Sequence, residues 1–238
     1  MQGLGSMIRF LCLNTFIVVY SILFCLWSVL LSFFDPGRKL VQSCVHRPWA
    51  RGILWVCGIK VQAGGMENVK GNEPCIYMSN HQSYFDIFVL LAFAPTDFRF
   101  ILKQELMKIP FLGVAMKRAG HIAINRESPR EAIRGMEQVA ELIKSGMCVV
   151  IFPEGTRSVD GKLQPLKKGG FHMAIKSGRP IVPVAIRNTC RIVTKGSLRI
   201  NKGDVAIYFD RPISLEGYTR KNLPELMDRV KTAIQNHL

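Results

Sequence analysis

Residues 10–34 form a run of 25 positions without a charged side chain. As one helix it would be about 37 Å long, against a hydrocarbon core of ~30 Å. Few soluble folds can bury such an element, so the run predicts membrane insertion, with spanning and re-entrant geometries both open. Asn14, Thr15, Ser21, Ser28 and Ser32 dilute its apolar character without forbidding insertion, and Asp35-Pro36-Gly37 should stop it. A cleaved signal peptide would carry a shorter apolar region and a small-x-small cleavage site, and no such site follows.

The next stretch has two faces. Basic Arg38, Lys39, Arg47, Arg51 and Lys60 alternate with apolar Leu40, Val41, Cys44, Val45, Trp49, Ile53 and Val56 at helical spacing. Trp49 and Trp55 suit the headgroup level, and Pro48 should kink or restart the helix. Lys and Arg are in excess after the apolar run, with Arg9 alone before it, which places the following domain on the cytoplasmic face. The whole chain carries 32 basic and 17 acidic residues, a net charge of +15 that calls for an anionic partner. The basic residues are dispersed, without an aromatic platform or helix-turn-helix signature, so nucleic acid is excluded in favour of an anionic membrane or phosphorylated substrates. Seven scattered cysteines, none in a Cys-x-x-Cys pair, read as apolar fillers in a reducing compartment. His121, His172 and His237 stand alone in the sequence, so no metal site is expected.

Beyond this point strand and helix patterns alternate. Ile59, Val61 and Ala63 alternate with Lys60 and Gln62, and short apolar runs at 74–78, 98–102, 122–124, 147–151, 181–186 and 205–209 read as further strands. Between them lie helices at 87–93, 105–117 around Pro110, 129–145 and 166–176. Ser128-Pro129-Arg130-Glu131 is a capping box, and Ile133, Met136, Ala140 and Ile143 mark a buried stripe. Asn222 and Glu225 should cap a last helix with Leu226, Val230 and Ile234 inward. The pattern predicts a layered, mixed α/β sheet with flanking helices over 59–238, preceded by membrane-anchoring helices over 1–58.

The loops after the strands collect the chemistry. Ser79-Asn80-His81-Gln82-Ser83-Tyr84-Phe85-Asp86 follows the apolar run at 74–78. On one continuous helix His81 and Asp86 would point about 140° apart. They can act together only if His81 lies on the loop and Asp86 one turn inside the helix. A carboxylate on one imidazole nitrogen fixes the tautomer and lets the other nitrogen take a proton from a hydroxyl. Ser83 and Cys75 lack a nucleophile elbow and read as packing or hydrogen-bonding residues. Phe152-Pro153-Glu154-Gly155-Thr156-Arg157 follows a second strand; its glycine permits close approach to the backbone, and its guanidinium fork suits a phosphate. A salt bridge from Arg157 to Glu154 or Asp160 is the competing reading. Lys103 and Arg126 also follow strands, and Lys167-Lys168 could meet an anionic group or simply be a solvated helix start. Ligands in open α/β sheets bind at these carboxyl ends.

Asn80-His81 with Asp86, Gly120-His121-Ile122-Ala123-Ile124-Asn125-Arg126, Phe152 to Arg157, and Ile181-Val182-Pro183-Val184-Ala185-Ile186 occur in that order. Together they resemble the PlsC-like glycerolipid acyltransferases, over roughly residues 60–209. The resemblance implies a membrane enzyme of phospholipid biosynthesis that moves a fatty acyl group from a thioester to the free hydroxyl of lysophosphatidic acid. It implies His81 as general base, Asp86 as its orienter, direct attack without an acyl-enzyme, and Glu154, Gly155, Thr156 and Arg157 on the acceptor phosphate. Arg126, after another strand, is a second phosphate candidate, with a solvated loop charge or a cap beside the next helix as the competing reading, and Lys103 is a candidate substrate or oxyanion contact. The donor would be acyl-CoA or acyl carrier protein, with no cofactor. Another lysophospholipid, glycerol phosphate or lipid A precursor as acceptor, and a non-catalytic membrane-tethered lipid-binding module, are the alternatives.

Overall fold

The computed structural model describes residues 3–35, 39–69, 73–125 and 127–238. Strands β1 (Ile59–Gly64), β2 (Ile76–Ser79), β3 (Arg99–Lys103), β4 (Ile122–Ile124), β5 (Val149–Ile151), β6 (Ile181–Arg187) and β7 (Gly203–Phe209) form one sheet in the order β1-β7-β6-β2-β5-β3-β4. Every neighbouring pair is parallel except β6 with β7. The sheet is therefore mixed, and β2 lies at its centre with both edges occupied. All four residues of β2 are buried, which is why that strand reads as a continuous apolar run rather than an alternation.

Helices cover both faces. On one side α3 (Arg47–Cys57) and α4 (Phe85–Phe93) share a core with Tyr77, Val150, Val184 and Phe209. On the other, α6 (Pro129–Lys144), α7 (Lys168–Ser177) and α9 (Leu223–Gln235) pack on Ile76, Met78, Val149 and Ile181. The alternating inward set of β7, Val205, Ile207 and Phe209, and the stripe Leu226, Val230 and Ile234 of α9 are buried as their periods predict. Ile133 is not: it is 64% exposed, and the buried side of α6 is carried by Val139, Ala140 and Ile143. Ser128 Oγ accepts from the Glu131 amide, but Glu131's carboxylate takes the Asn125 side-chain amide instead of closing the capping box. Asn222 Oδ1 likewise accepts from Thr219 N rather than from α9.

The apolar N-terminal run is one helix, α1 (Leu4–Leu31), longer at its start than the uncharged stretch because it takes in Arg9. It is long and apolar enough to cross a membrane by length and composition, with only 6% of its most apolar window buried. Leu11, Val18, Leu26 and Leu30 on its outer face are exposed, while Leu13, Ile17 and Tyr20 pack against the core that holds α3. After α2 (Lys39–Val41) the backbone takes a π-helical turn over Gln42–His46 before Pro48 opens α3 at its first turn. Trp55 is 81% exposed on α3, but Trp49 is turned inward, its ring edge-on to Phe88 at 5.2 Å and its N–H donated to Ser21 Oγ at 3.1 Å. Of Trp49 and Trp55, the expected interfacial pair, only Trp55 is exposed. Arg47 also leaves the cationic face, donating to the Ala94 carbonyl at 3.0 Å. The segment around Pro110 divides into a 3-10 turn (Gln104–Lys108) and α5 (Leu112–Arg118), on which α1 packs. Phe111 between them has φ 60°, a left-handed value that interrupts the helix read through this stretch.

Candidate active site

β2 ends at Ser79 and the chain turns through Asn80 to His81 before α4 begins. Asn80 fixes the turn: its side-chain amide donates to the Ile186 carbonyl at 2.8 Å and its Oδ1 accepts the Ile186 N–H at 2.7 Å, docking the loop on β6. Asp86 sits in the first turn of α4 and folds back, as the offset of five residues requires. His81 Nδ1 lies 2.7 Å from Asp86 Oδ2. The same oxygen accepts the amides of Gln82 and Ser83 at 2.7 and 2.9 Å, and Oδ1 accepts the hydroxyl of Thr189. Asp86 is completely buried, so these four donors replace its hydration. An Asp surrounded by donors is an acceptor only, so Nδ1 of His81 carries the proton and Nε2 is left as a base.

The β5 loop holds the histidine from the other side. His81 N–H donates to Glu154 Oε1, Gln164 N–H to Glu154 Oε2 at 2.7 Å, and Ser158 N–H to the His81 carbonyl at 2.7 Å. Glu154 is 2% exposed and does not line the cavity below. Its carboxylate braces the two motif loops against each other. Burial pushes its carboxyl above the usual range, opposed by the two amides that favour the anion. The Phe152 ring stacks on the His81 imidazole at 3.9 Å and 15°, fixing its plane.

Gly155 has φ +73°, and its α-face is covered by the Lys167 side chain, so a Cβ there would meet both conformational strain and the lysine. Arg157 makes no ion pair with Glu154 or Asp160. Its guanidinium carbon lies 3.7 Å from the Tyr84 ring centroid, and its Nη1 is buried without a partner among the described residues. Thr156 Oγ1 accepts from Lys195 Nζ at 3.2 Å. Lys103 stands at the cavity wall between two carboxylates, 3.5 Å from Glu105 and 3.4 Å from Glu127, and its hydrogen bond to Glu127 leads the causes that raise its pKa. Arg126 lies outside the described residues. Ser83 Oγ donates to the Val193 carbonyl and Cys75 Sγ lies 3.8 Å from Cys148 Sγ, both away from His81, in keeping with packing roles. Thr189, in the short helix α8 (Thr189–Ile192), was not legible as a site residue: nothing in its sequence neighbourhood marks it, and β6 alone brings it to Asp86.

His81, Gly155, Thr156 and Arg157 open on a cavity of about 660 Å³. Its walls are mostly apolar, with Ile87, Phe88 and Leu91 from α4 and Phe24 and Cys25 from α1. A row of rings runs along it. Phe152 is 6.5 Å from Phe100, Phe100 is 5.7 Å from His121, and His121 stacks on His46 at 5.2 Å. The Phe100 N–H donates to His121 Nδ1 at 3.1 Å, and burial pushes the His46 pKa down to about 4, with Arg99 adding to the shift. The cavity thus joins an imidazole and a guanidinium to a mostly apolar wall.

A histidine paired with a buried carboxylate, a turn carrying Arg157 and a largely apolar cavity thus meet at the carboxyl ends of β2 and β5 on a mixed α/β sheet. The acyltransferase family model matches residues 60–187, more than half of the chain, and the chain belongs to that family. It is 38% identical to a chloroplastic 1-acyl-sn-glycerol-3-phosphate acyltransferase of Brassica napus, over 76% of this chain and 52% of that protein. It is 32% identical to the human 1-acyl-sn-glycerol-3-phosphate acyltransferase alpha, over 82% of this chain and 69% of that protein. The chain thus spans about half the length of the Brassica relative. The crystal structure of the PlsC acyltransferase of Thermotoga maritima superposes with a TM-score of 0.85 at 25% identity, covering 100% of this chain and 97% of that one.

Proposed function

We propose that this protein transfers a fatty acyl group from a thioester donor, acyl-CoA or acyl carrier protein, to the free hydroxyl of lysophosphatidic acid, giving phosphatidic acid for phospholipid synthesis. The observation that carries the reading is His81: its Nδ1 is committed to Asp86, and its other nitrogen faces an apolar cavity beside Arg157. The donor's acyl chain occupies the cavity, which brings the thioester carbonyl to the mouth. The acceptor phosphate meets Arg157, whose buried Nη1 has no partner among the described residues. His81 Nε2 takes the hydroxyl proton as the oxygen attacks the thioester carbon. The tetrahedral intermediate collapses with loss of the C–S bond, and the imidazolium returns the proton to the departing sulfur. No nucleophilic side chain is consumed. The names of the relatives support the acceptor, and the exposed apolar face of α1 supports membrane attachment, with the basic excess after it favouring the cytoplasmic face.

The test is product mass from purified protein, lysophosphatidic acid and each donor, with Arg157→Ala alongside. Loss of a charge-assisted contact should raise the acceptor KM or lower its kcat/KM by about ten- to a hundredfold, with a smaller change in donor KM. An unchanged acceptor kcat/KM refutes the role of Arg157, and absence of acylated product with any donor refutes the activity.

A further inference from the structure

Lys167 and Lys195 come from distant parts of the chain to the same turn. Lys167 precedes α7, its amide donating to the Pro153 carbonyl at 2.8 Å, and its side chain lies across the α-face of Gly155. Lys195 follows α8 and bonds the Arg157 carbonyl at 2.8 Å and Thr156 Oγ1. Both ammonium groups are exposed, and neither has a carboxylate within ion-pair distance among the described residues. The two nearby acids are engaged elsewhere, Glu154 on the amides of 81 and 164 and Asp160 on Ser158 Oγ and the amide of Lys162. Two cations thus meet one short turn with no carboxylate to balance them among the described residues, an arrangement that favours an anion there.

Their position selects the anion. Gly155, Thr156 and Arg157 line the cavity, while Lys167 and Lys195 meet that same turn without being among the residues that line it. An acyl chain inside the cavity puts its thioester at His81, and the rest of the donor has to leave the mouth toward solvent. A phosphate carried on that departing arm lies outside the cavity, whereas the acceptor phosphate is taken inside by Arg157. We infer that Lys167 and Lys195 form a second phosphate seat at the Gly155–Arg157 turn, one that binds the phosphate of the donor's pantetheine arm. The inference rests on the acyl-transfer reading above. Coenzyme A and acyl carrier protein share this phosphate, so the seat serves either.

The experiment compares palmitoyl-CoA with S-palmitoyl-pantetheine, which has the same thioester and no phosphate, using full-length protein and lysophosphatidic acid. Lys167→Met with Lys195→Met should raise the KM for palmitoyl-CoA by about tenfold or more and leave that for palmitoyl-pantetheine within twofold, while Lys167→Arg with Lys195→Arg keeps most of the affinity. Palmitoyl-acyl carrier protein should behave as palmitoyl-CoA does. A loss of equal size on both small donors means that the lysines only brace the turn, and a rise confined to the KM of lysophosphatidic acid assigns them to the acceptor; either result overturns the inference. Calorimetric binding of coenzyme A to the wild type and to the double methionine variant is read separately. If no donor supports transfer, the functional reading fails, and equal binding by the two proteins overturns the seat as well.

Discussion

Asp86→Asn should leave His81 in its working tautomer, and this can be worked from the four bonds to the carboxylate. Three of them meet at Oδ2, from His81 Nδ1, Gln82 N and Ser83 N. An asparagine placing its Oδ1 at that point keeps all three. Its amide nitrogen then faces Thr189, whose hydroxyl can accept it and turn its own proton toward Gln82 Oε1, 3.4 Å away. What is lost is charge. A hydrogen bond to an ion is stronger than a neutral one by about 1–2 kcal/mol, and the attraction between carboxylate and forming imidazolium adds a similar amount. The kcat should fall about 30- to 10³-fold with the fold intact. Asp86→Ala leaves two buried amides unpaired and the ring unoriented. Its loss should exceed 10³-fold and be accompanied by a lower thermal midpoint. Asp86→Asn with Thr189→Val removes the acceptor for the amide, which can then swap ends and present N–H to His81; activity should drop to the alanine level. Initial rates of phosphatidic acid formation in mixed micelles, read with thermal midpoints, test the series. If Asp86→Asn and Asp86→Ala match in both rate and midpoint, the argument from Oδ2 is wrong.

His81→Ala should abolish transfer by about 10²–10⁴-fold while shifting the midpoint little, since the ring contributes to the reaction and not to the core; near-normal turnover would exclude it as the base. His46 has a folded-state pKa of about 4 against 6.5 unfolded, so the unfolded chain binds the proton more strongly between those values. Its contribution is therefore complete above about pH 6.5 and is lost as pH falls toward 4, a span worth about 3 kcal/mol. His46→Asn should flatten the fall of the thermal midpoint over that range, and an unchanged slope refutes the assignment. Deleting residues 1–34 should free the protein from neutral vesicles in flotation and leave salt-sensitive adhesion to anionic ones; because α1 supplies part of the cavity wall, it should also cut activity on long-chain donors. Complete flotation of the truncated form at high salt would show that the anchor lies elsewhere.

Most strands were legible as short apolar runs bounded by polar residues, and β1 as an alternation; the candidate site was legible because its residues sit where those strands end. Burial on both faces hides direction, however. Arg47 occupies a position that the amphipathic pattern gives to water and Trp49 one that it gives to the headgroup level, yet Trp49 packs beside Phe88 and Arg47 reaches the Ala94 carbonyl. Ile133 fails in the opposite sense: the repeat includes it, but the sheet meets α6 nearer its carboxyl end. Glu154 shows that a motif supplies a residue without telling which way it points, and Thr189 shows that a partner supplied from 103 positions away has no local signal at all.

The brace that Glu154 and Ser158 build around the His81 backbone has a consequence for recombination between relatives. The segment carrying the base and the segment carrying the phosphate turn are neighbours on adjacent strands but lie 73 positions apart along the chain. A graft of residues 79–86 alone would hold the histidine only where the host's second loop offers the carboxylate and the amide in register. Where it does not, chimaeras should keep function only when both segments, with Gln164 behind them, are exchanged as one cassette.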